Sequence, residues 1–120
     1  MTTIKQERVA QQIELFLGDL FSRAMRDPRL QGVTVTGVQI DRELQYADVY
    51  VNALGDESRQ AEVMEGLGHA NGFLRHEVAE HVQLRHAPIL HFHWDPSLAR
   101  AEHINQLLDS LEIPPADEGS

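Results

Sequence analysis

The sequence predicts a single α+β domain in which three short strands carry helices on one side. Two observations favour this class. Apolar residues recur every three or four positions near the start of the chain and again within residues 57–81, which indicates amphipathic helices. Three short segments rich in β-branched or aromatic residues alternate between apolar and polar positions, which is typical of strands. A chain of 120 residues can also bury a core without a metal or disulfide.

The first element is an amphipathic helix. Thr3 and Gln6 match a capping box at its start. Asp27-Pro28 ends it, because the residue before a proline avoids helical dihedrals. Its polar face carries Arg8, Arg23 and Arg26, and its apolar stripe consists of Val9, Ile13, Phe16, Leu17, Leu20 and Ala24.

Two strands follow, in the segments VTVTGVQI and YADVYVNAL. The intervening DRELQ is long enough only for a hairpin, so the two strands should be antiparallel. In the first strand the apolar phase switches after Thr36-Gly37, which predicts a bulge or bend there. In the second strand one face is formed by Ala47, Val49, Val51 and Ala53, and the other by Tyr46, Asp48, Tyr50 and Asn52.

A second helix is expected over residues 57–81, with Asp56 as its N-cap. Ala70-Asn71-Gly72 lies near its middle, where Gly costs about 1 kcal/mol relative to Ala and Asn is a poor helix former. Val63, Leu67 and Ala70 form the buried face before this point. The apolar stripe resumes beyond it as Leu74, Val78 and Val82. We therefore expect a kink between two amphipathic pieces.

The segment PILHFHW is predicted to be a third strand, with Leu90, Phe92 and Trp94 on one face and Ile89, His91 and His93 on the other. Asp95-Pro96 then begins a last helix. Residues 1–111 form one domain on this interpretation, and residues 112–120 form an acidic tail that is predicted to be disordered. The order of helix, strand, strand, helix, kink, helix and strand is that of the type-II KH-like variant, an analogy that concerns fold alone.

The net charge of −9 argues against nucleic-acid binding when it is taken as an average. The acid is unevenly distributed, however. Residues 41–68 hold seven acidic and two basic residues, and residues 101–120 hold five acidic residues and no Lys or Arg. Residues 1–40 hold five basic residues against four acidic ones. The chain can therefore present arginines on a surface that does not share the average charge.

Cysteine is absent, which excludes thiolate chemistry and a disulfide scaffold. No apolar run approaches the roughly 18 residues of a membrane span, and the start of the chain lacks the pattern of a signal peptide. We therefore expect a cytoplasmic protein that does not bind a membrane.

Motif tests do not support an enzyme. HEVAEH resembles a zinc-protease motif, but His76 and His81 are five residues apart and point about 140° apart on a helix. No Walker A, G-x-S-x-G or G-x-G-x-x-G sequence is present. His91 and His93 share a strand face and could bind a metal adventitiously, but a solvated or interface strand face is the favoured interpretation because they lack a third ligand. We expect neither a cofactor nor a functional metal.

Several blocks nevertheless resemble one known family. DPRLQGVTVTGVQIDRELQYADVYVNALGD, ANGFLRHEV, LRHAPILHFHWDPSL and INQLLDSL follow one another in the order found in the ribosome-binding factor A family of bacterial small-subunit assembly factors. The resemblance covers about residues 7–111. It implies a KH-like fold in which an Ala-x-Gly kink, here Ala70-Asn71-Gly72, replaces the Gly-x-x-Gly of RNA-clamping KH domains. Such a kink would expose backbone N–H groups at a new helix N-terminus, which favours anions.

The resemblance also implies a function. It implies a monomer that binds the small ribosomal subunit late in maturation, contacts rRNA near the decoding region, favours processing and folding of the rRNA 5′ end, and assists growth in the cold. Arginine suits bidentate phosphate contacts. The candidates for such contacts are Lys5, Arg8, Arg23, Arg26, Arg29, Arg75, Arg85 and His86.

Two departures from the family pattern are visible. Asp41 and Glu43 stand in the hairpin where family members often have Ser and Asp, and the chain is more acidic than many relatives. Weaker or more salt-sensitive subunit binding is therefore a hypothesis. The alternative function is a protein-interaction module whose acidic hairpin and tail engage a basic ribosomal protein or assembly factor. Neutralising Arg75 and Arg85 should abolish rRNA binding, whereas removing residues 112–120 should damage the alternative.

Overall fold

The computed structural model describes residues 3–23, 25–54 and 56–96. The elements in these ranges are helix α1 (Ile4–Arg23), strand β1 (Thr34–Ile40), strand β2 (Tyr46–Asn52), helix α2 (Gln60–Val82) and strand β3 (Ile89–Trp94). Short 3-10 turns, Pro28–Leu30 and Glu57–Arg59, precede β1 and α2. The expected C-terminal helix and the acidic tail lie outside the described residues, as does Ala24 of the first apolar stripe. Neither described helix has the length and hydropathy of a membrane span.

The capping box at the start of α1 is confirmed. The Thr3 hydroxyl accepts a hydrogen bond of 3.1 Å from the Gln6 amide, and the Gln6 side-chain oxygen accepts one of 3.0 Å from the Thr3 amide. The Gln6 side-chain amide also donates to the carbonyl of Ile40 at 2.9 Å, in a buried position. The same glutamine therefore caps the helix and fixes its start against the end of β1.

The three strands form one mixed sheet in the order β1-β2-β3. β1 and β2 are antiparallel, as the hairpin predicts, whereas β3 lies parallel to β2 on its other side. The register shifts between Val35 and Gly37, so the predicted bulge is confirmed. β2 is therefore the central strand, and β1 and β3 are the edges of the described sheet.

Both helices pack on the same face of the sheet. α1 lies mainly against β1, and α2 lies against β3. The inward residues of β2 are fully or almost fully buried, as the alternation predicts. They join one apolar cluster whose most enclosed members include Ile13, Leu17, Leu30, Val49, Val51, Val63, Leu67, Leu74 and Val78. The fold class predicted from the sequence, an α+β layer, is confirmed.

The expected interruption of the second helix is wrong. α2 is one continuous α-helix from Gln60 to Val82, and Gly72 does not have a positive φ. The apolar stripe crosses Ala70-Asn71-Gly72 without losing its three- and four-residue spacing, because Leu67, Ala70 and Leu74 all contact the core. Burial of this face offsets the roughly 1 kcal/mol that the glycine costs. No new helix N-terminus is formed there to bind an anion.

The end of the sheet opposite the hairpin is held by a polar cluster. Asn52 is fully buried, and its side-chain amide donates to the carbonyl of Asp95 at 2.7 Å. The Trp94 indole N–H donates to the Glu57 carboxylate at 2.7 Å. Asp56, expected as the N-cap of the second helix, instead caps the 3-10 turn before it by accepting from the Ser58 amide at 3.1 Å, and Arg59 is the N-cap of α2 itself. These contacts join the end of β3 to the start of α2.

Candidate nucleic-acid interface

The structure divides the predicted basic residues between two ends of the molecule. Lys5 and Arg23 are 18 residues apart on α1, which corresponds to roughly 27 Å along the helix. Lys5 lies at the end that also holds the hairpin turn and the C-terminus of α2. Arg29 lies at the opposite end, where it contacts Glu65 and His69 near the start of α2. The eight candidate residues therefore do not form one continuous patch.

Three candidates meet at one cleft. Lys5, Arg85 and His86 line an open cavity of about 950 Å³ between the start of α1, the β1–β2 hairpin and the segment after α2. All three side chains are exposed, and none makes an ion pair with another residue in the described part of the chain. We call this cavity, lined by Lys5, Val9, Glu43, Leu44, Gln45, Val82, Gln83, Leu84, Arg85 and His86, the basic cleft.

Two left-handed residues shape the walls of the basic cleft. Leu44 has φ 59° in the hairpin turn, and Gln83 has φ 59° where it ends α2. The Asp41 carboxylate holds the hairpin by accepting 2.7 Å hydrogen bonds from the backbone amides of Gln45 and Tyr46. Partial burial alone would raise the pKa of Asp41, but the hydrogen bonds from these and neighbouring backbone amides together hold the pKa below its usual value. Asp41 is thus a turn-forming residue.

Arg75 has internal partners. Its Nε donates to the carbonyl of Pro88 at 3.1 Å, and its Nη2 donates to the carbonyl of Ala87 at 3.2 Å. The guanidinium therefore ties α2 to the segment that leads into β3. Arg75 keeps its positive charge near the basic cleft, but two of its N–H groups are already used in these hydrogen bonds. No local pattern in the sequence indicates the two carbonyl partners.

Two further candidates are neutralised locally. Arg23 forms an exposed ion pair with Asp19 at 2.6 Å, four residues earlier on α1. Arg29 contacts Asp27 at 2.7 Å and Glu65 at 3.5 Å. The hydrogen bonds from these arginines lower the pKa of Asp19 and of Asp27. Each of these arginines is therefore paired with a carboxylate, which would repel an approaching phosphate.

Arg8 and Arg26 are exposed and make no ion pair with a described residue. Arg8 lies three residues after Lys5 on α1, so the two side chains share a helix face. Arg8 thus extends the positive surface beside the basic cleft, whereas Arg26 lies beyond the far end of α1.

Asn71, at the centre of the expected kink, reaches from α2 to the edge strand β3. Its side-chain amide donates to the carbonyl of Leu90 at 3.1 Å. The backbone amide of Ile89 donates to the carbonyl of Gln45, on the side of β2. In a strand, the backbone groups of alternate residues point to opposite edges. Leu90 therefore directs its carbonyl away from β2, and Asn71 covers it. Gly72 and Phe73 are exposed, and an added Cβ at Gly72 would contact nothing within 4 Å.

The outer face of the sheet carries the histidine pair. His93 hydrogen-bonds Asp48 at 2.8 Å, and His91 lies 3.9 Å from the same carboxylate oxygen. The two imidazoles stack on Tyr50 and Tyr46, with ring centroids 5.0 and 5.9 Å apart. Within the residues that the structure describes, no group of three histidine or acidic side chains is placed to hold a metal ion. The sequence indicates this face through the alternation of Tyr46, Asp48 and Tyr50 in β2 and of His91 and His93 in β3.

The chain matches one protein family over most of its length. Residues 5–108 match the sequence profile of a family described as ribosome-binding factor A. A ribosome-binding factor A from Chromohalobacter salexigens is 43% identical to this chain over 107 residues, which is 88% of this chain and 82% of that protein. The profile match includes nearly all of α1, the sheet, α2 and every residue that lines the basic cleft.

Solved structures show the same fold. The crystal structure of ribosome-binding factor A from Thermus thermophilus superimposes with a TM-score of 0.63 at 27% identity, covering 73% of this chain and 93% of that one. A homology model of the Thermus thermophilus factor, fitted into a cryo-electron microscopy map of its 30S complex, gives a TM-score of 0.55 at 24% identity. That second likeness covers 77% of this chain and 92% of the other, and it concerns the fold alone.

Proposed function

Because this chain belongs to the ribosome-binding factor A family, we propose that it binds the small ribosomal subunit through rRNA late in subunit maturation. It favours correct folding and processing of the 5′ end of that rRNA near the decoding region, and it supports growth in the cold. It acts as a monomer in the cytoplasm, where ribosomes mature. Members of the family are ribosome-binding factors, so the chain steers conformation by binding and is not an enzyme.

The observation that carries this proposal is the family match over residues 5–108, which spans nearly the whole described fold. The Thermus thermophilus factor, which shares that fold, has been observed in a 30S complex. The described residues also offer exposed cations for such a complex.

The proposed rRNA contacts centre on Lys5, Arg8 and Arg85, with His86 beside them. Their side chains are exposed and lack competing ion pairs among the described residues. Guanidinium groups bind phosphate oxygens through paired hydrogen bonds, which favours Arg8 and Arg85. Arg26 is a separate contact at the other end, and Arg23, Arg29 and Arg75 contribute less because each already has internal partners.

The overall charge of −9 does not prevent such contacts. Interactions between exposed charges are largely screened beyond a Debye length of about 8 Å at physiological ionic strength. A local group of cations can therefore bind phosphate while distant carboxylates repel it weakly. Binding should nevertheless weaken with salt, because the contacts release counterions from the rRNA.

The competing function, an acidic protein-interaction module, draws less support from the described residues. Asp41 accepts two backbone hydrogen bonds in the hairpin, and Glu43 lines the basic cleft beside Lys5 and Arg85. These carboxylates are therefore only partly available to a basic partner. Residues 112–120, the other part of that hypothesis, lie outside the described residues.

Co-sedimentation tests the proposed function. The purified chain is mixed with isolated small subunits or with complete ribosomes, at low and moderate salt, and the pelleted fraction is measured. We expect selective binding to the isolated small subunit that weakens as salt increases. An absence of binding at low salt would refute the proposal and would make the protein-partner function the leading hypothesis.

A further inference from the structure

The basic cleft combines two kinds of surface that a simple phosphate contact does not need. Its floor is apolar and consists of Val9, Leu44, Val82 and Leu84, while Lys5, Arg85 and His86 stand at its polar rim. Its volume of about 950 Å³ lies within the range of small-molecule pockets, roughly 300 to 1,000 Å³. A flat cationic patch would bind a phosphate backbone equally well without the floor.

The other exposed group of rings is less suitable for an anionic ligand. On the outer sheet face, the Asp48 carboxylate lies within 4 Å of both His91 and His93. A phosphate at that face would meet this carboxylate. In the basic cleft Lys5 and Arg85 outnumber the one carboxylate, Glu43, whereas only histidines flank Asp48, so charge favours the basic cleft as the place where rRNA is held.

We propose that the basic cleft receives one unstacked nucleotide of single-stranded rRNA, with its base against the apolar floor and its phosphate on Lys5 and Arg85. This inference deepens the proposed function and rests on it. Proteins recognise RNA mainly at unpaired nucleotides whose bases can leave the stack and be read individually. A phosphate attached to a flat apolar ring matches a cleft with a charged rim and an apolar floor.

Three polar side chains give the cleft a means of reading the base. Gln45 and Gln83 line it with amide groups that can both donate and accept hydrogen bonds. Glu43 lines it with a carboxylate, which can accept from the exocyclic amino group of a base and would repel a phosphate. We therefore expect the phosphate to be held away from Glu43, on the side of Lys5 and Arg85, and a base that carries an amino group to be preferred.

The test is an NMR titration of the full-length, isotope-labelled chain at low salt. The probes are the four nucleoside 5′-monophosphates, ribose 5-phosphate, inorganic phosphate, a short single-stranded oligoribonucleotide and an RNA duplex. The amides of residues 43–45 and 83–86 are followed. We expect saturable shifts with monophosphates, binding at least tenfold weaker for ribose 5-phosphate, and tighter binding for the single-stranded oligomer than for either the monophosphates or the duplex.

Two variants test the apolar floor and the charged rim of the basic cleft separately. Leu44→Asn makes the floor polar at a position where the positive φ suits asparagine, so the fold should be kept. Arg85→Ala removes a rim charge from an exposed position. Both should weaken monophosphate binding at least tenfold, whereas Arg23→Ala, which removes a distant charge already paired with Asp19, should leave it within twofold. Thermal unfolding of each variant confirms that the fold persists.

Several results would overturn the inference. Equal responses to monophosphates, ribose 5-phosphate and inorganic phosphate would mean a phosphate site without a base pocket. Tighter binding of free monophosphates than of the oligomer would mean a site for a free nucleotide. No response to any probe would also refute it, and if small-subunit binding persisted the proposed function would still stand. Conversely, nucleotide binding without small-subunit binding would refute the proposed function but would still support a nucleotide-binding pocket in the basic cleft.

Discussion

The side-chain amide of Asn71 donates a 3.1 Å hydrogen bond to the carbonyl oxygen of Leu90, on the outer edge of β3. One helical turn later, Arg75 donates to the carbonyls of Pro88 and Ala87. Spaced four residues apart, the two side chains lie on one face of α2 and bind carbonyls of β3 and of the segment that leads into it. An exposed edge is a template for unwanted strand pairing, so these contacts both fix β3 and protect it.

Asn71→Asp should show how much the hydrogen bond between Asn71 and the Leu90 carbonyl stabilises the fold. A carboxylate cannot donate, so the Leu90 carbonyl would lose its partner and face a negative charge. We expect the free energy of unfolding to fall by about 1 to 3 kcal/mol at neutral pH. Because a protonated carboxyl can donate again, the loss should shrink as the pH falls towards about 4. Urea unfolding at both pH values measures this, and an equal loss at both would contradict it.

Arg75→Lys should destabilise the chain although it keeps the charge. A lysine ammonium cannot reproduce the planar fork that reaches two consecutive carbonyls. We expect the free energy of unfolding to fall by about 1 kcal/mol through the lost hydrogen bond. Arg85→Lys is the matched control, and its unfolding should be unchanged because Arg85 makes no hydrogen bond or ion pair with another described side chain or carbonyl. Equal stability of Arg75→Lys and Arg85→Lys would show that the two carbonyl contacts are unimportant.

Gly72→Ala separates a continuous helix from a kinked one. In a continuous helix, an added Cβ at this exposed position meets nothing within 4 Å. We therefore expect a gain of about 1 kcal/mol in the free energy of unfolding, with Gly68→Ala behaving alike. Small-subunit binding should be unchanged. Destabilisation by Gly72→Ala but not by Gly68→Ala would instead indicate that the glycine adopts a conformation closed to alanine.

Asp41 should contribute to the acid sensitivity of the fold. Its folded-state pKa lies below the usual value, so its stabilisation is complete above the unfolded pKa, about 4, and is lost as the pH falls through the folded pKa. Chemical unfolding between neutral pH and pH 3 should therefore show that the stability difference between the wild type and Asp41→Asn shrinks in acid. A stability difference that stays constant between neutral pH and pH 3 would contradict this role.

The elements of this fold were predictable because their signals are local. The capping box joins Thr3 to Gln6, and the phase switch at Gly37 is visible within one strand. The helix interruption was wrong for a related reason. Local propensity identified Ala70-Asn71-Gly72 as unfavourable, but the buried stripe on either side of it decides the conformation.

The candidate site was less predictable because it joins distant parts of the chain. Lys5, Leu44 and Arg85 reach one cleft only through the packing of α1, the hairpin and the end of α2. Charge identified Lys5 and Arg85, but it could not separate them from Arg75, whose partners are carbonyls of a later segment. The pairing of Arg23 with Asp19 and of Arg29 with Asp27 is local, so residue spacing could have indicated it where composition did not.

The most direct test of the account is the salt dependence of binding to isolated small subunits. The affinity of the wild type, Arg85→Ala and Arg23→Ala is measured between about 50 and 200 mM salt, a range over which phosphate contacts weaken strongly. We expect log affinity to fall linearly with log salt, Arg85→Ala to reduce this slope by about one, and Arg23→Ala, with the same change in net charge, to leave it nearly unaltered. A wild-type affinity independent of salt, or equal effects of the two variants, would contradict this expectation.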